Sequence, residues 1–433
     1  MDGTMCTRKD FGVLRNNKVS YFDYAATTFM PDRVINAWNN YQSNIGILFG
    51  KGNNVLSIRA YEQFYNAEAT IKKHFKMGDD YEFIYGKNTT ELINMLALSY
   101  PDTLHSLDCI LAGPYEHHSN LLPWKYLAKR NNAIFLEMPL TKEGQIDYSY
   151  LQEMKDIVSC VVLSSVANSN GFMPDLQKVC EIFDNAYIFI DESQNVAHAP
   201  IYTNDRITGY ILSSHKMYGP KNIAGALVKK SYLEKVTPVL LGGGMVDTVS
   251  FEDTWGETKK KFEAGTFDVG LLVAWSEACS FINQIGYDNI RLAEESWYEA
   301  IKQSLLENER LRMLNIEGGS KSILTFVSDQ YHAHDLEYIL SEQNIIIRSG
   351  NLCAQPSIRK MNEYAVNRIS FGLGIEEYDI DDLYKMVMNG QIEDGKSQVA
   401  ILMVKGLFAE GTFQGYLKRS GLPDRKENET DVV

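Results

Sequence analysis

Short apolar runs at regular intervals, with helical stretches between them, constrain this chain more than any other feature. Residues 81–85, 109–112, 133–136, 160–164, 186–190, 209–212 and 224–228 read as strands, and residues 89–98 and 121–129 between them read as helices. Strands that are apolar throughout, rather than alternating, are covered on both faces, and strands joined by helices pair in parallel. The expected fold is therefore α/β, with a large domain of three layers built on a mainly parallel sheet. A chain of 433 residues exceeds what one small core needs, so a second, smaller domain is expected. From about Phe281 charged helical stretches follow, then a strand over 322–327, a helix over 335–341 and a strand over 344–348, the pattern of a small α+β domain. The chain divides into an N-terminal extension joining the small domain (1–20), the large domain (21–280), the small C-terminal domain (281–390) and a tail (391–433) of unassigned role.

Composition removes several classes of function. A net charge of −14 opposes nucleic-acid binding, which needs clustered Lys and Arg against phosphates. Apolar stretches are too short or too interrupted to span a bilayer, and residues 1–17 lack the apolar core of a secretory signal, so no membrane association is expected. The cysteines at 6, 109, 160, 180, 279 and 353 form no CxxC pair, which fits reduced thiols in a cytoplasmic protein and no metal site.

Chemistry concentrates at three strand ends. In Ser213-Ser214-His215-Lys216-Met217-Tyr218-Gly219-Pro220 a lysine follows an apolar strand and precedes a Gly-Pro turn, a placement suited to holding an amine in a cleft for Schiff-base formation. Taken alone it is equally a surface lysine in a turn. The strand at 188–190 ends in Asp191, and ligands of parallel sheets bind outside the carboxyl ends of the strands. A carboxylate there can keep a pyridine nitrogen protonated, although an isolated Asp is more readily a helix N-cap or a loop residue. In Gly86-Lys87-Asn88-Thr89-Thr90-Glu91 a strand end opens a helix with hydroxyl residues, a phosphate site by its amides and dipole or a simple capping motif completed by Glu91. Neither a P-loop nor GxGxxG spacing is present, which disfavours nucleotide binding.

Together these stretches resemble the class V aminotransferase and cysteine desulfurase family, selenocysteine lyase-like enzymes included, of fold-type I pyridoxal-phosphate enzymes. The resemblance runs over residues 21–386 through Phe22-Asp23-Tyr24-Ala25-Ala26, Glu116-His117-His118-Ser119-Asn120, Val166-Ala167-Asn168, Asp191-x-x-Gln194, Ser213-x-His215-Lys216, Phe262-Glu263-Ala264-Gly265-Thr266, Arg348-Ser349-Gly350-x-x-Cys353-Ala354 and Asn367-Arg368. It implies that the large domain binds pyridoxal 5'-phosphate, with Lys216 as the Schiff-base lysine and Asp191 on the ring nitrogen. His117 is implied to stack on the ring, and Asn168 and Gln194 to bond its phenolic oxygen and neighbouring substituents. Thr89, Thr90, Ser213 and His215 are implied to hold the phosphate, helped by Thr266 from the second subunit of a homodimer. Arg368 is implied to grip the substrate carboxylate, with Ala25 and Asn54 also at the substrate.

Cys353 separates reactions within the family. A thiol has an ordinary pKa of about 8.5, and positive charge nearby raises its thiolate fraction. Arg348 on the same loop is expected to supply such charge. The resemblance then implies a desulfurase that takes sulfur from L-cysteine or a related amino acid onto Cys353 and passes it to an acceptor protein. An aminotransferase, or another carbon–sulfur or carbon–carbon lyase, needs no such thiol, and a non-catalytic scaffold needs neither Lys216 nor Asp191. Departures from the family pattern are Asn54 where a histidine is usual, Ser164-Ser165-Val166-Ala167 for Thr-His-Val-Ser, the added Lys87-Asn88, and Glu192-Ser193 for Gly-Ala.

Overall fold

The structure is a computed structural model that describes residues 7–47, 52–101, 104–251, 253–256 and 258–388. The expected tail at 391–433 lies outside them. Seven strands form the central sheet: β1 (Tyr81–Gly86), β2 (Cys109–Ala112), β3 (Ile134–Glu137), β4 (Val158–Ser164), β5 (Tyr187–Asp191), β6 (Gly209–Ser213) and β7 (Ala224–Lys229), in the order β1-β7-β6-β5-β4-β2-β3. All pairings from β6 through β3 are parallel, whereas β7 runs antiparallel to both β6 and β1. β7 is the exception because only residues 214–223 join it to β6, too few for a helical crossover.

The strands are apolar throughout because successive side chains enter different cores. Leu111, Val161, Leu163, Ile188, Ile190 and Leu212 belong to one buried cluster. Their neighbours Ile110, Cys160, Val162, Phe189 and Ile211 belong to another, as the two-residue period of a strand requires. Trp275, Ala278 and Ile282 cover the first face from helix α5 (Val269–Ile285). Helices α3 (Thr89–Leu98) and α4 (His118–Asn131) cover the second with Leu92, Leu96 and Trp124. Helices α1 (Asp32–Asn44) and α2 (Val55–His74) pack on α5.

Beyond α5 and the long helix α6 (Tyr287–Glu307), a four-stranded antiparallel sheet contains β8 (Leu311–Met313), β9 (Ile323–Ser328), β10 (Arg348–Gly350) and β11 (Val366–Ser370), ordered β8-β9-β11-β10, with α7 (Ala333–Glu342) between β9 and β10 in sequence. The expected boundary at 280/281 falls inside α5, because the apolar stripe of that helix continues through Phe281, Ile282 and Ile285. The strand expected over 344–348 divides. Ile345–Ile346 pairs in parallel with Ser20–Tyr21, while Arg348–Gly350 joins β11. The N-terminal segment is thereby tied to the small sheet, and the Asp23 bridge to Ser370 carries residues 22–26 into the space between the two sheets.

Candidate active site

Because β7 is antiparallel to both neighbours, β1 and β6 run the same way. The carboxyl ends of β1, β2, β4, β5 and β6 therefore share one edge of the sheet, where open α/β folds place their ligands. A cleft of about 620 Å³ opens there, and residues of β10, the loop after it and β11 form its other wall. Of the residues expected from sequence, Ala25, Thr89, Thr90, His117, Asn168, Asp191, Gln194, His215, Lys216, Cys353 and Arg368 all line this cleft. Thus sites separated by more than 300 positions in the chain meet.

Asp191 ends β5 with its side chain buried, and its Oδ1 accepts the Ser193 amide at 2.9 Å. Lys216 lies in the single helical turn that follows β6. Burial, reinforced by the Arg368 cation, outweighs the Asp191 and Asp23 carboxylates and pushes its ammonium down to about pKa 8. At pH 7 about a tenth of it is then free amine, far more than an ordinary lysine carries, and that is the form that attacks carbonyl carbon. His117 caps α4, and its Nδ1 accepts the Ser119 amide at 3.1 Å. With Nδ1 accepting, the neutral ring carries its proton on Nε2. Burial, with the Lys216 charge adding, pushes His117 down to about 4, so the ring is neutral at physiological pH. His215 is likewise pushed down to about 4 by burial and the neighbouring lysines. Glu116 accepts Ser164 N, Ser164 Oγ and Asn120 Nδ2, each at 2.7 Å, and so locks the start of α4 to the end of β4.

At the other side of the cleft Thr89 and Thr90 form the first turn of α3, whose N-cap Asn88 accepts the Glu91 amide at 2.9 Å while Glu91 accepts from Lys87 N. The capping motif is therefore real, and it leaves the two threonines on the anion-binding end of the helix. Asn168 Nδ2 donates to Leu352 O at 2.8 Å and Gln194 Nε2 to Ala25 O at 2.9 Å.

The thiol sits on a strained turn. Leu352 and Cys353 have φ of 54° and 52°, and Gly350 has 101°. Non-glycine residues in the left-handed region cost roughly 1–3 kcal/mol each and persist only where neighbours hold them. His118 supplies much of that hold, its amide donating to Cys353 O at 2.7 Å and its Nε2 accepting from the Gln355 amide at 3.0 Å. Asn351 Oδ1 accepts the Cys353 amide at 3.1 Å. Cys353 itself is exposed.

Several expectations need correction. Arg348 does not direct its charge at the thiol, because its Nη2 binds Asp23 Oδ2 at 2.8 Å. Asn54 lies outside the cleft lining. Its Oδ1 caps α2, accepting the Leu56 and Ser57 amides at 3.0 Å each. Ser213 is buried at the end of β6, paired to Ala224 and behind the lining. Thr266, expected to act from a second subunit, needs no correction: it is exposed on a loop outside the cleft lining of its own chain. Sequence reading also passed over Asp23 as the shared counter-ion of Arg348 and Arg368, whose Nη2 meets Asp23 Oδ1 at 2.9 Å. The signal available was the rule that a buried arginine needs a carboxylate.

Comparisons with known proteins agree with this geometry. The model of the class V aminotransferase family matches residues 20–383. A probable cysteine desulfurase of Halalkalibacterium halodurans is 31% identical over 84% of this chain and 91% of its own length. A cysteine desulfurase of Haloferax volcanii is 30% identical over 84% of this chain and 87% of its own. Among solved structures, a cysteine desulfurase of Escherichia coli superposes with a TM-score of 0.82 at 26% identity, covering 89% of this chain and 97% of that one.

Proposed function

Since the chain belongs to the class V aminotransferase family, whose members are pyridoxal-phosphate enzymes, we propose that it is a cysteine desulfurase acting on L-cysteine or a close analogue. The observation that carries the reading is one cleft holding an amine of lowered pKa, a strand-end carboxylate and an exposed thiol: Lys216, Asp191 and Cys353.

The residues present fit the cofactor. Asn168 Oδ1, Ser193 Oγ and Arg368 Nε belong to cleft-lining residues, yet are buried without a hydrogen-bond partner among the described residues, as expected of atoms that face a polar ligand. In this reading Lys216 holds pyridoxal 5'-phosphate, Asp191 meets its ring nitrogen and His117 covers one ring face. Asn168 and Gln194 meet its oxygen substituents, while Thr89, Thr90 and His215 hold its phosphate. Once bound, the group supplies an electrophilic carbon and an electron-withdrawing ring.

The protein's own residues do the rest. Arg368, held in a buried ion pair, presents its remaining donors to the substrate carboxylate. Lys216 Nζ takes and returns the proton at the substrate α-carbon. The Cys353 thiolate attacks the substrate sulfur, so that an S–S bond forms as the carbon–sulfur bond breaks. The carbon keeps the electron pair and gains a proton, giving alanine, while Cys353 is left as a persulfide. Its exposure suits delivery of that sulfur to an acceptor protein. A homodimer completes the site through Thr266. Among the described residues no helix is long and apolar enough to cross a membrane, and the free cysteines there support a reducing, cytoplasmic setting.

The Arg348–Asp23 pair favours a second reading, an aminotransferase or a different carbon–sulfur or carbon–carbon lyase, because it withdraws a charge the thiol would use. Cys353→Ala decides between them. The desulfurase predicts that alanine and sulfide release from L-cysteine stops while cofactor absorbance is kept, and retained turnover would refute it.

A further inference from the structure

The small-sheet wall of the cleft carries a hydrogen-bonded chain that the reaction above does not use. His334 on α7 lines the cleft together with Cys353. Its Nδ1 lies 2.6 Å from Ser349 Oγ, and Ser349 Oγ donates to Glu337 Oε2, which stands 3.7 Å from the same His334 nitrogen. The polarity of this chain is forced. A carboxylate only accepts, so the one hydroxyl proton of Ser349 points to Glu337 and the Ser349 oxygen must accept from His334. The neutral ring therefore carries its proton on Nδ1 and leaves a lone pair on Nε2. That nitrogen lies on the Gly350 side, where a Cβ built on the glycine would stand 3.2 Å from Cε1 and 3.8 Å from Nε2. Gly350 begins the turn that ends at Cys353.

We propose that His334 accepts the proton of the Cys353 thiol, with Ser349 and Glu337 fixing its tautomer and stabilising the cation that results. This inference deepens the desulfurase reading and rests on it. The proton leaves Cys353 Sγ for His334 Nε2, the S–H electron pair stays on sulfur, and the imidazole becomes imidazolium, with no oxidant or co-reactant required. The bond from Nδ1 to Ser349 and on to Glu337 strengthens as that positive charge forms. The other imidazoles of the cleft lining suit the task less well. His117 carries its proton on Nε2, and both His117 and His215 are held near pKa 4. Arg348 is engaged by Asp23. The titratable groups beside His334 are His332, 5.1 Å away ring to ring, and Glu337 on its own helix, while Arg348, Lys216 and Cys353 line the same cleft.

The test uses the holoenzyme in two assays, alanine release from L-cysteine and alkylation of Cys353 by iodoacetamide across the neutral pH range. His334→Asn keeps a donor to Ser349 but has no basic nitrogen. Its kcat should fall by about 10² or more with KM little changed, in keeping with the usual weight of general-base catalysis. Its alkylation profile should lose the limb that follows an imidazole, and added imidazole should restore turnover to His334→Ala. An Asn variant with wild-type kcat and pH profile overturns the proposal. So does an Ala variant that fails alone and is not rescued, since that would mark His334 as a loop support. Wild-type protein that releases no alanine, yet shows a His334-dependent alkylation profile, would sink the desulfurase reading and leave the proton acceptor standing.

Discussion

Asp23 is where the chemistry of the two walls is joined. Its carboxylate binds the buried Arg368 through one oxygen and the half-exposed Arg348 through the other. Removing one partner of a buried pair leaves an uncompensated charge and costs about 3–5 kcal/mol. Asp23→Asn should lower the urea midpoint accordingly and raise KM for amino acids, because Arg368 loses its anchor. Lys216 makes a different prediction. Its pKa falls from 10.5 to about 8 on folding, so between those values the unfolded chain binds more protons than the native one. Stability of the cofactor-free protein should therefore rise with pH across that window, and the rate of cofactor capture should rise as pH passes about 8. A flat capture rate there would contradict the low ammonium pKa. Lys216 and Asp191 were legible in the sequence because a strand end says where a side chain must point. The true partner of Arg348 was not, since it lies 325 positions away and only the fold brings it near.

At the scale of elements, the seven strands and the helices between them were readable because each is short, apolar and bounded by polar turns. Ends differed by up to three residues, as at β4, which begins at Val158 rather than Cys160, and at α4, which begins at His118 rather than Leu121. What could not be read was pairing. The division of the strand at 344–348 depends on Ser20–Tyr21 arriving from the other end of the chain, whereas the reversal of β7 had a local signal, the short 214–223 connection, that strand patterning alone does not use. The reversal has a packing consequence. Gly225 of β7 sits where a Cβ would lie 2.4 Å from the Phe83 ring and 2.9 Å from Trp275. Phe83 and Trp275 fill that space so completely that an added methyl must displace one of them. Gly225→Ala should cost about 1–3 kcal/mol, the usual penalty of overpacking, measured by chemical denaturation. Unchanged stability would mean that the contact of β1, β7 and α5 is looser than described.

On the whole-molecule scale, the proposed homodimer accounts for surface that a monomer would leave unexplained. Val55, Ile58, Tyr61 and Tyr65 stand exposed along α2, beside a groove of about 720 Å³, and Phe251 is fully exposed. Tyr65 lies close enough to Glu263 to feel its charge, so this apolar surface reaches toward the loop that carries Thr266. Contiguous apolar surface of this kind marks an interaction site, and a second copy seated there would bring its own Thr266 loop toward a neighbouring cleft. If Thr266 acts across the interface, two defective variants complement one another. Lys216→Ala cannot hold the cofactor, and Thr266→Ala holds its phosphate weakly. In a mixed dimer the Thr266→Ala subunit keeps its own Lys216 and receives an intact Thr266 from its partner, so one complete site is rebuilt. Refolding equal amounts together should raise alanine release and cofactor retention above either variant alone, toward about a quarter of the wild-type value, since half of the dimers are mixed and each of those holds one complete site. If Thr266 serves its own chain, every site in the mixture lacks one residue and no gain appears.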